Sequence, residues 1–311
     1  MSDQYNILAA SQLDLGMAVF LAEAAQAAYL VAPEQWAKAS GFTRIQAFDR
    51  GNIQGFWCAA GDVALLSFRG TSNPAQWLRD ARFFPVPHPW GRVHVGFIDG
   101  IANVETDLAQ FDPIACGAKH LWITGHSLGG ALALIAAARL KMKGFSASIY
   151  TYGQPRVGLG EFADRFAIEL PGRLYRFVNQ SDIVTRVPPG LLYQHTGIVK
   201  RIVRPGVLES VPGVAAPTNA IQDAVNRVAG TTILESVRAI SASGIVQPVL
   251  IDADIAPLSE QQFAELQLAL GAGAPASHLE GVMLEGVLPW FSDHAISEYV
   301  RLLKEIRDLS K

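Results

Sequence analysis

Between residues 40 and 205 the chain alternates short apolar runs of strand length with longer stretches of helical period. FTRIQAFD (42–49) and QGFWCAA (54–60) flank Arg50-Gly51-Asn52, a spacing that predicts a β-hairpin, and DVALLSF (62–68) follows as a third strand. HLWITG (120–125), ASIYTYG (147–153), RLYRFVN (173–179) and GIVKRIV (197–203) continue the series, with the clearest helices predicted over 127–143 and 159–170. Strands alternating with helices imply an α/β fold with a mainly parallel central sheet flanked by helices on both faces. Upstream, Gly16 to Ala32 is apolar but interrupted by Glu23 and Gln26, and no Lys or Arg precedes Lys38. That run reads as an amphipathic first helix, too short and too polar for a membrane span and lacking the basic flank of a leader.

From Pro205 to Trp290 the pattern changes. Three helical periods, NAIQDAVNRVA, TILESVRAI and SEQQFAELQLAL, are separated by Gly, Pro and Ser clusters. Nine acids and two arginines give this segment a charge of −7 in a chain whose net charge is −3. It is expected to be a helical insertion or cap over 205–290, with residues 1–204 and 291–311 forming the core and the last helix, near 294–308, returning to the sheet.

The chemistry concentrates where HLWITG runs into Gly125-His126-Ser127-Leu128-Gly129 and directly on into ALALIAAARLK. A strand-to-helix turn this tight strains its central residue and leaves no room for Cβ atoms beside it, which is why glycines flank Ser127. The serine hydroxyl is pushed out and exposed above a helix N-terminus, which favours negative charge. A serine there needs a base and an acid, and in α/β proteins with such an elbow they follow in the order Ser, Asp or Glu, His. Asp182 stands just beyond RLYRFVN, at the strand end where chemistry gathers in open sheets. Asp164 falls inside a predicted helix, and Asp223, Asp252 and Asp254 fall in the insertion. Three histidines satisfy the order: His195 beside a strand mouth, His278 in the insertion, and His294 at a loop-to-helix junction where a loop can carry imidazole over the serine. Asp293 reads as the cap of the helix that follows, and His126 as a packing residue of the elbow. The N–H of Leu128 and both the N–H and hydroxyl of Thr71, which ends ALLSFRGT, are the expected donors to an oxyanion, each worth ~3 kcal/mol in a transition state.

Composition narrows the partners. Half of the 311 residues are apolar, enough for a full core, and neither the net charge nor any Lys/Arg cluster supports nucleic-acid binding. No metal and no cofactor is expected. Cys58 and Cys116 are the two cysteines, read as free thiols in a cytoplasmic protein, with secretion open if the chain has been trimmed.

Several ordered motifs together resemble the class 3 lipases, the family of the filamentous-fungal triacylglycerol lipases, within the α/β-hydrolase superfamily. They are FRGT (68–71), NPAQWLRDARF (73–83), VHVGF (93–97), GHSLGG (125–130), YTYGQPRVG (150–158), VNQSDIVTRVPP (178–189) and DHAISEYV (293–300). The resemblance implies a nucleophile at Ser127, an acid at Asp182, a base at His294 and an oxyanion hole at Thr71 and Leu128. It also implies a lid over roughly 72–92, with Trp77 at the place of a lid tryptophan, and sets His195 outside the triad; Phe83, Phe84 and Trp90 read as further aromatics of that flap, the alternative being core residues or the wall of an open acyl pocket. Asp182 and His294 are 112 residues apart, longer than the fungal pattern because of the insertion.

An amphipathic flap of that kind would cover the site in water and turn its apolar face to an oil–water interface, which fits lipid esters as substrates. The acidic insertion argues against docking to anionic membranes. A phospholipase A1 or a small- or aryl-ester esterase is the alternative on the same scaffold, and a ligand- or partner-binding relative without turnover a more distant one.

Overall fold

Strands that are buried on both faces must be apolar nearly throughout, and VALLSF (63–68), buried at every position in the middle of the sheet, is such a strand. The computed structural model describes residues 13–71, 84–179, 182–188, 190, 192–203, 249–251 and 293–310. In chain order the strands are β1 Arg44–Arg50, β2 Ile53–Ala60, β3 Val63–Phe68, β4 Pro85–His88, β5 Gly91–His94, β6 His120–His126, β7 Ala147–Tyr152, β8 Gly158–Leu159, β9 Leu174–Asn179, β10 Tyr193–Gln194, β11 Ile198–Val203 and β12 Val249–Ile251. Eight form one sheet in the order β1-β2-β3-β6-β7-β9-β11-β12. From β3 to β11 neighbours run parallel, while β1, β2 and β12 complete the edges antiparallel. This is the α/β-hydrolase architecture expected from the alternation of strands and helices.

The described helices are α1 Leu15–Ala27, α2 Pro33–Ala39, α3 Val95–Asn103, α4 Glu105–Ala109, α5 Leu128–Met142, α6 Gly160–Glu169 and α7 Ile296–Leu309. On one face of the sheet α3, α5 and α6 supply Phe97, Ile101, Leu132, Ile135, Phe162 and Phe166 to a continuous core. Alanine dominates α5 because it favours helix at no side-chain entropy cost and lets the axis approach the strands closely. On the other face α1 and α7 bury Leu21, Ala22, Ala25, Tyr299, Leu302 and Leu303. The first helix is therefore not amphipathic as expected: it is sandwiched between sheet and α7, so apolar residues recur all round it. It also stops at Ala27, and Pro33 restarts the chain as the first residue of α2. No described helix is long and apolar enough to cross a membrane.

Two features were not expected. β4, β5, β8 and β10 form a second, four-stranded antiparallel sheet beside the core. β12 lies inside the segment read as helical, pairing Val249 with Val203 on the edge of β11. Three apolar residues carry no period, so only an open strand edge decides their conformation. The helical patterns of 205–290 lie outside the described residues. The cap of α7 is Ala295 rather than Asp293, and it makes no side-chain cap bond.

Candidate active site

β6 ends and α5 begins at Ser127, whose φ of 57° and ψ of −128° make it the one non-glycine at positive φ among the described residues. Such backbone is costly for an L-residue and persists where its surroundings enforce it. The glycines show how. A Cβ on Gly125 would lie 2.3 Å from the carbonyl of Gly129, and one on Gly129 would lie 2.2 Å from the carbonyl oxygen of Phe68. Strand, helix and the end of β3 thus meet main chain to main chain, and the Ser127 N–H is held by Tyr152 O at 2.9 Å. The hydroxyl, expected to be exposed, is instead closed off: Ser127 is 0% exposed, and its Oγ has no hydrogen-bond partner among the described residues.

Asp182 leaves the end of β9 and His294 precedes α7, and the two side chains meet. His294 Nδ1 lies 2.9 Å from both carboxylate oxygens. Asp182 is fully buried, and its charge is met by further donors: the Val184 N–H at 2.9 Å on Oδ1 and the Tyr299 hydroxyl at 2.7 Å on Oδ2. Burial, and then the Asp182 charge, push the Tyr299 hydroxyl well above the ordinary tyrosine range, so it remains a donor. Tyr299 also accepts the Asn179 N–H at 2.8 Å, while the Asn179 amide donates to the Asp293 carbonyl at 2.9 Å, tying the start of α7 to the end of β9. Gly153 (φ 58°) passes beneath the pair; a Cβ there would come within 2.7 Å of Asp182 Oδ2 and 2.9 Å of the His294 ring. With Nδ1 facing the carboxylate, Nε2 of His294 is buried and also has no hydrogen-bond partner among the described residues.

FRGT arrives from the other side. A Cβ on Gly70 would lie 2.9 Å from Ser127 Cβ and 2.6 Å from the His126 carbonyl oxygen, so half-buried Thr71 follows directly on a residue in contact with the elbow. Leu128 is the first residue of α5, and its N–H belongs to the first turn, where helix geometry supplies no intrahelical acceptor. Thr71→Val keeps the shape and the N–H but removes the hydroxyl. It is expected to lower kcat on a soluble ester by 10- to 10³-fold, roughly the effect of losing one oxyanion donor, with an unchanged kcat excluding the side chain from that role.

The remaining candidates lie apart. The Nε2 of His195 is 2.7 Å from the Thr185 carbonyl, and burial, followed by the charges of Arg176 and Arg156, holds the ring well below the usual histidine range. Asp164 sits on α6, and His278, Asp223, Asp252 and Asp254 lie outside the described residues. So do Trp77 and Phe83. Of the 72–92 stretch, residues 84–92 are described: they lead into and form the β4–β5 hairpin, where Phe84 is 64% exposed and Trp90 is 6% exposed, edge-on to Phe166 in the core. Among the described residues no group of His, Cys, Asp and Glu is arranged to hold a metal.

A strained serine at a strand-to-helix turn, a buried Asp–His pair beside it and a mainly parallel sheet beneath define the α/β-hydrolase class. The sequence model of the class 3 lipases matches residues 65–191 of this chain. A lipase of Rhizomucor miehei is 38% identical over 144 residues, 42% of this chain and 39% of its own length. A secreted mono- and diacylglycerol lipase of Fusarium solani is 36% identical over 140 residues, 42% of this chain and 41% of its own. The chain thus spans about two fifths of the curated relatives it matches. A solved triacylglycerol lipase, described as having a serine protease triad at its catalytic centre, superimposes with a TM-score of 0.56 at 26% identity, covering 67% of this chain and 89% of that one. The Fusarium relative's secretion overturns the cytoplasmic expectation. Free thiols were a poor guide to compartment, because a core of this size needs no disulfide to stand.

Proposed function

We propose that this protein hydrolyses carboxylic esters of lipids through an acyl-enzyme, with Ser127 as nucleophile, His294 as base and Asp182 as the acid that orients it. The observations that carry the proposal are a strained, buried Ser127 and a buried His294, with Oγ and Nε2 each left without a hydrogen-bond partner among the described residues and the far side of the imidazole fixed by Asp182. Ser127 Oγ attacks the ester carbonyl carbon as Nε2 takes its proton, and the oxyanion is received by the Leu128 N–H and Thr71. The same proton then leaves with the alcohol, and water, activated by His294, releases the acid. Asp182 keeps the tautomer and stabilises the imidazolium without itself gaining the proton. The mono-, di- and triacylglycerols in the relatives' names make acylglycerols the first substrates to test.

The proposed division is a hydrolase core of 1–204 and 291–311, a 205–290 insertion and a lid in the 72–92 stretch. Among the described residues of that stretch Phe84 is exposed, and Trp90 is anchored in the core. If the stretch opens at an oil–water interface, hydrolysis of emulsified tributyrin is expected to rise steeply once substrate exceeds its solubility. Trp77→Ala should blunt that rise and leave p-nitrophenyl acetate hydrolysis nearly unchanged. Plain saturation through the solubility limit, with both substrates equally impaired, would make the protein an esterase with a fixed wall. Parallel rates on phosphatidylcholine separate a phospholipase A1.

A further inference from the structure

Behind the elbow a second polar chain ends on the same histidine. The Tyr29 hydroxyl lies 2.7 Å from Nδ1 of His126, and Nε2 of His126 lies 2.6 Å from the main-chain oxygen of His294. A carbonyl only accepts, so Nε2 carries the proton and Nδ1 accepts from Tyr29. One tautomer is thereby fixed. The Tyr29 hydroxyl is in turn hydrogen-bonded by the main chain of Gly70, whose lack of a Cβ admits it: a Cβ there would lie 2.4 Å from the tyrosine oxygen. Burial, and next the charge that His294 acquires, hold His126 well below the ordinary histidine range, so it stays neutral while its neighbour works. The two imidazole rings are tilted at 36° to each other, with 4.5 Å between centroids.

This arrangement is more than packing. The Nδ1–Asp182 contact alone leaves the His294 ring a swing about that contact, and the swing changes the distance from Nε2 to Ser127. Fixing the main-chain oxygen of His294 removes it. Because Gly70 adjoins Thr71, the same chain links the base to the oxyanion side of the site. We propose that His126, set in its tautomer by Tyr29, is a positioning residue that holds the main chain of His294 so that Nε2 faces Ser127. The proposal rests on the reading of Ser127, Asp182 and His294 as the triad.

His126→Leu removes both hydrogen bonds at similar volume. On p-nitrophenyl butyrate it is expected to lower kcat about 10²-fold, the scale of a 1 Å misplacement, with KM changed less than about threefold. The rate at which a fluorophosphonate labels Ser127 should fall in parallel. His126→Gln, whose amide can donate to the His294 carbonyl and accept from Tyr29, is expected to recover kcat to within about tenfold of the parent. Tyr29→Phe is expected to cost about tenfold in kcat, and the Tyr29→Phe, His126→Leu double no more than His126→Leu alone, as for members of one chain. Parental kcat in His126→Leu, or His126→Gln as impaired as His126→Leu, overturns the proposal. Should circular dichroism show that His126→Leu does not fold, an unchanged kcat in Tyr29→Phe overturns it instead. Ser127→Ala in the same assay separates the two readings: if it is inactive the triad stands whatever His126 does, and if it is active the triad itself falls.

Discussion

Ser127→Ala is expected to lower kcat/KM on p-nitrophenyl butyrate by roughly 10⁶-fold, the scale seen when a triad nucleophile is removed from other serine hydrolases. A residue of about 10³- to 10⁴-fold over water is expected to survive from substrate binding and the oxyanion donors. The fold should not suffer. Alanine keeps the Cβ and so the same backbone strain at φ 57°, while the change deletes a buried Oγ that has no hydrogen-bond partner among the described residues. The thermal midpoint, followed by circular dichroism, is therefore expected to stay level or rise. Near-parental activity in the purified variant would end the serine mechanism, and a collapsed melting curve would show Oγ to be structural.

Asp182→Asn and His294→Ala carry the second large effect, about 10⁴-fold or more in kcat for either. Asparagine fits the space of Asp182 but presents an amide where His294 Nδ1, Tyr299 and Val184 all look for an acceptor. Either the imidazole takes the wrong tautomer or a buried donor loses its partner, and both outcomes remove the base. Coupling Ser127→Ala with His294→Ala should lower activity little beyond Ser127→Ala alone. His195→Ala is the control. It removes a ring held by the Thr185 carbonyl and is expected to change kcat only a few-fold. An inactive, folded His195→Ala beside an active His294→Ala would exchange their roles.

The elbow was legible because its requirement is local: two glycines, a strand before and a helix after lie within a dozen residues. The parallel sheet was legible for a related reason, since its apolar strands alternate with helices at regular spacing. Tyr299 and Asn179 were not singled out, although both sit inside motifs that were quoted. Their partners stand 117 and 114 residues away in the chain, and a tyrosine inside ISEYVRLL reads as one more core residue. His126 read as packing for the same reason, because nothing in the sequence ties Tyr29 to it. Trp90 looked like part of an aromatic flap, but the packing of Phe166 against it is a tertiary fact. The first helix was read as amphipathic rather than buried all round because the helix that covers its outer side is nearly three hundred residues downstream. Local chemistry and period can be read along a chain; what they pack against cannot.

Gly153 gives the site a floor made of main chain. Asp182 and His294 both rest on the turn that follows β7, with no side chain between to yield or to reshape. Their mutual alignment is thus inherited from the backbone of the sheet, the part of such a protein that moves least. Substitutions that loosen surface loops should leave the Asp182–His294 pair in register, whereas anything that shears β7 against β9 would carry the pair away from Ser127 as one body. Accuracy here is a property of strand geometry, and variants aimed at new substrates have most room on the side of the serine that faces away from this floor.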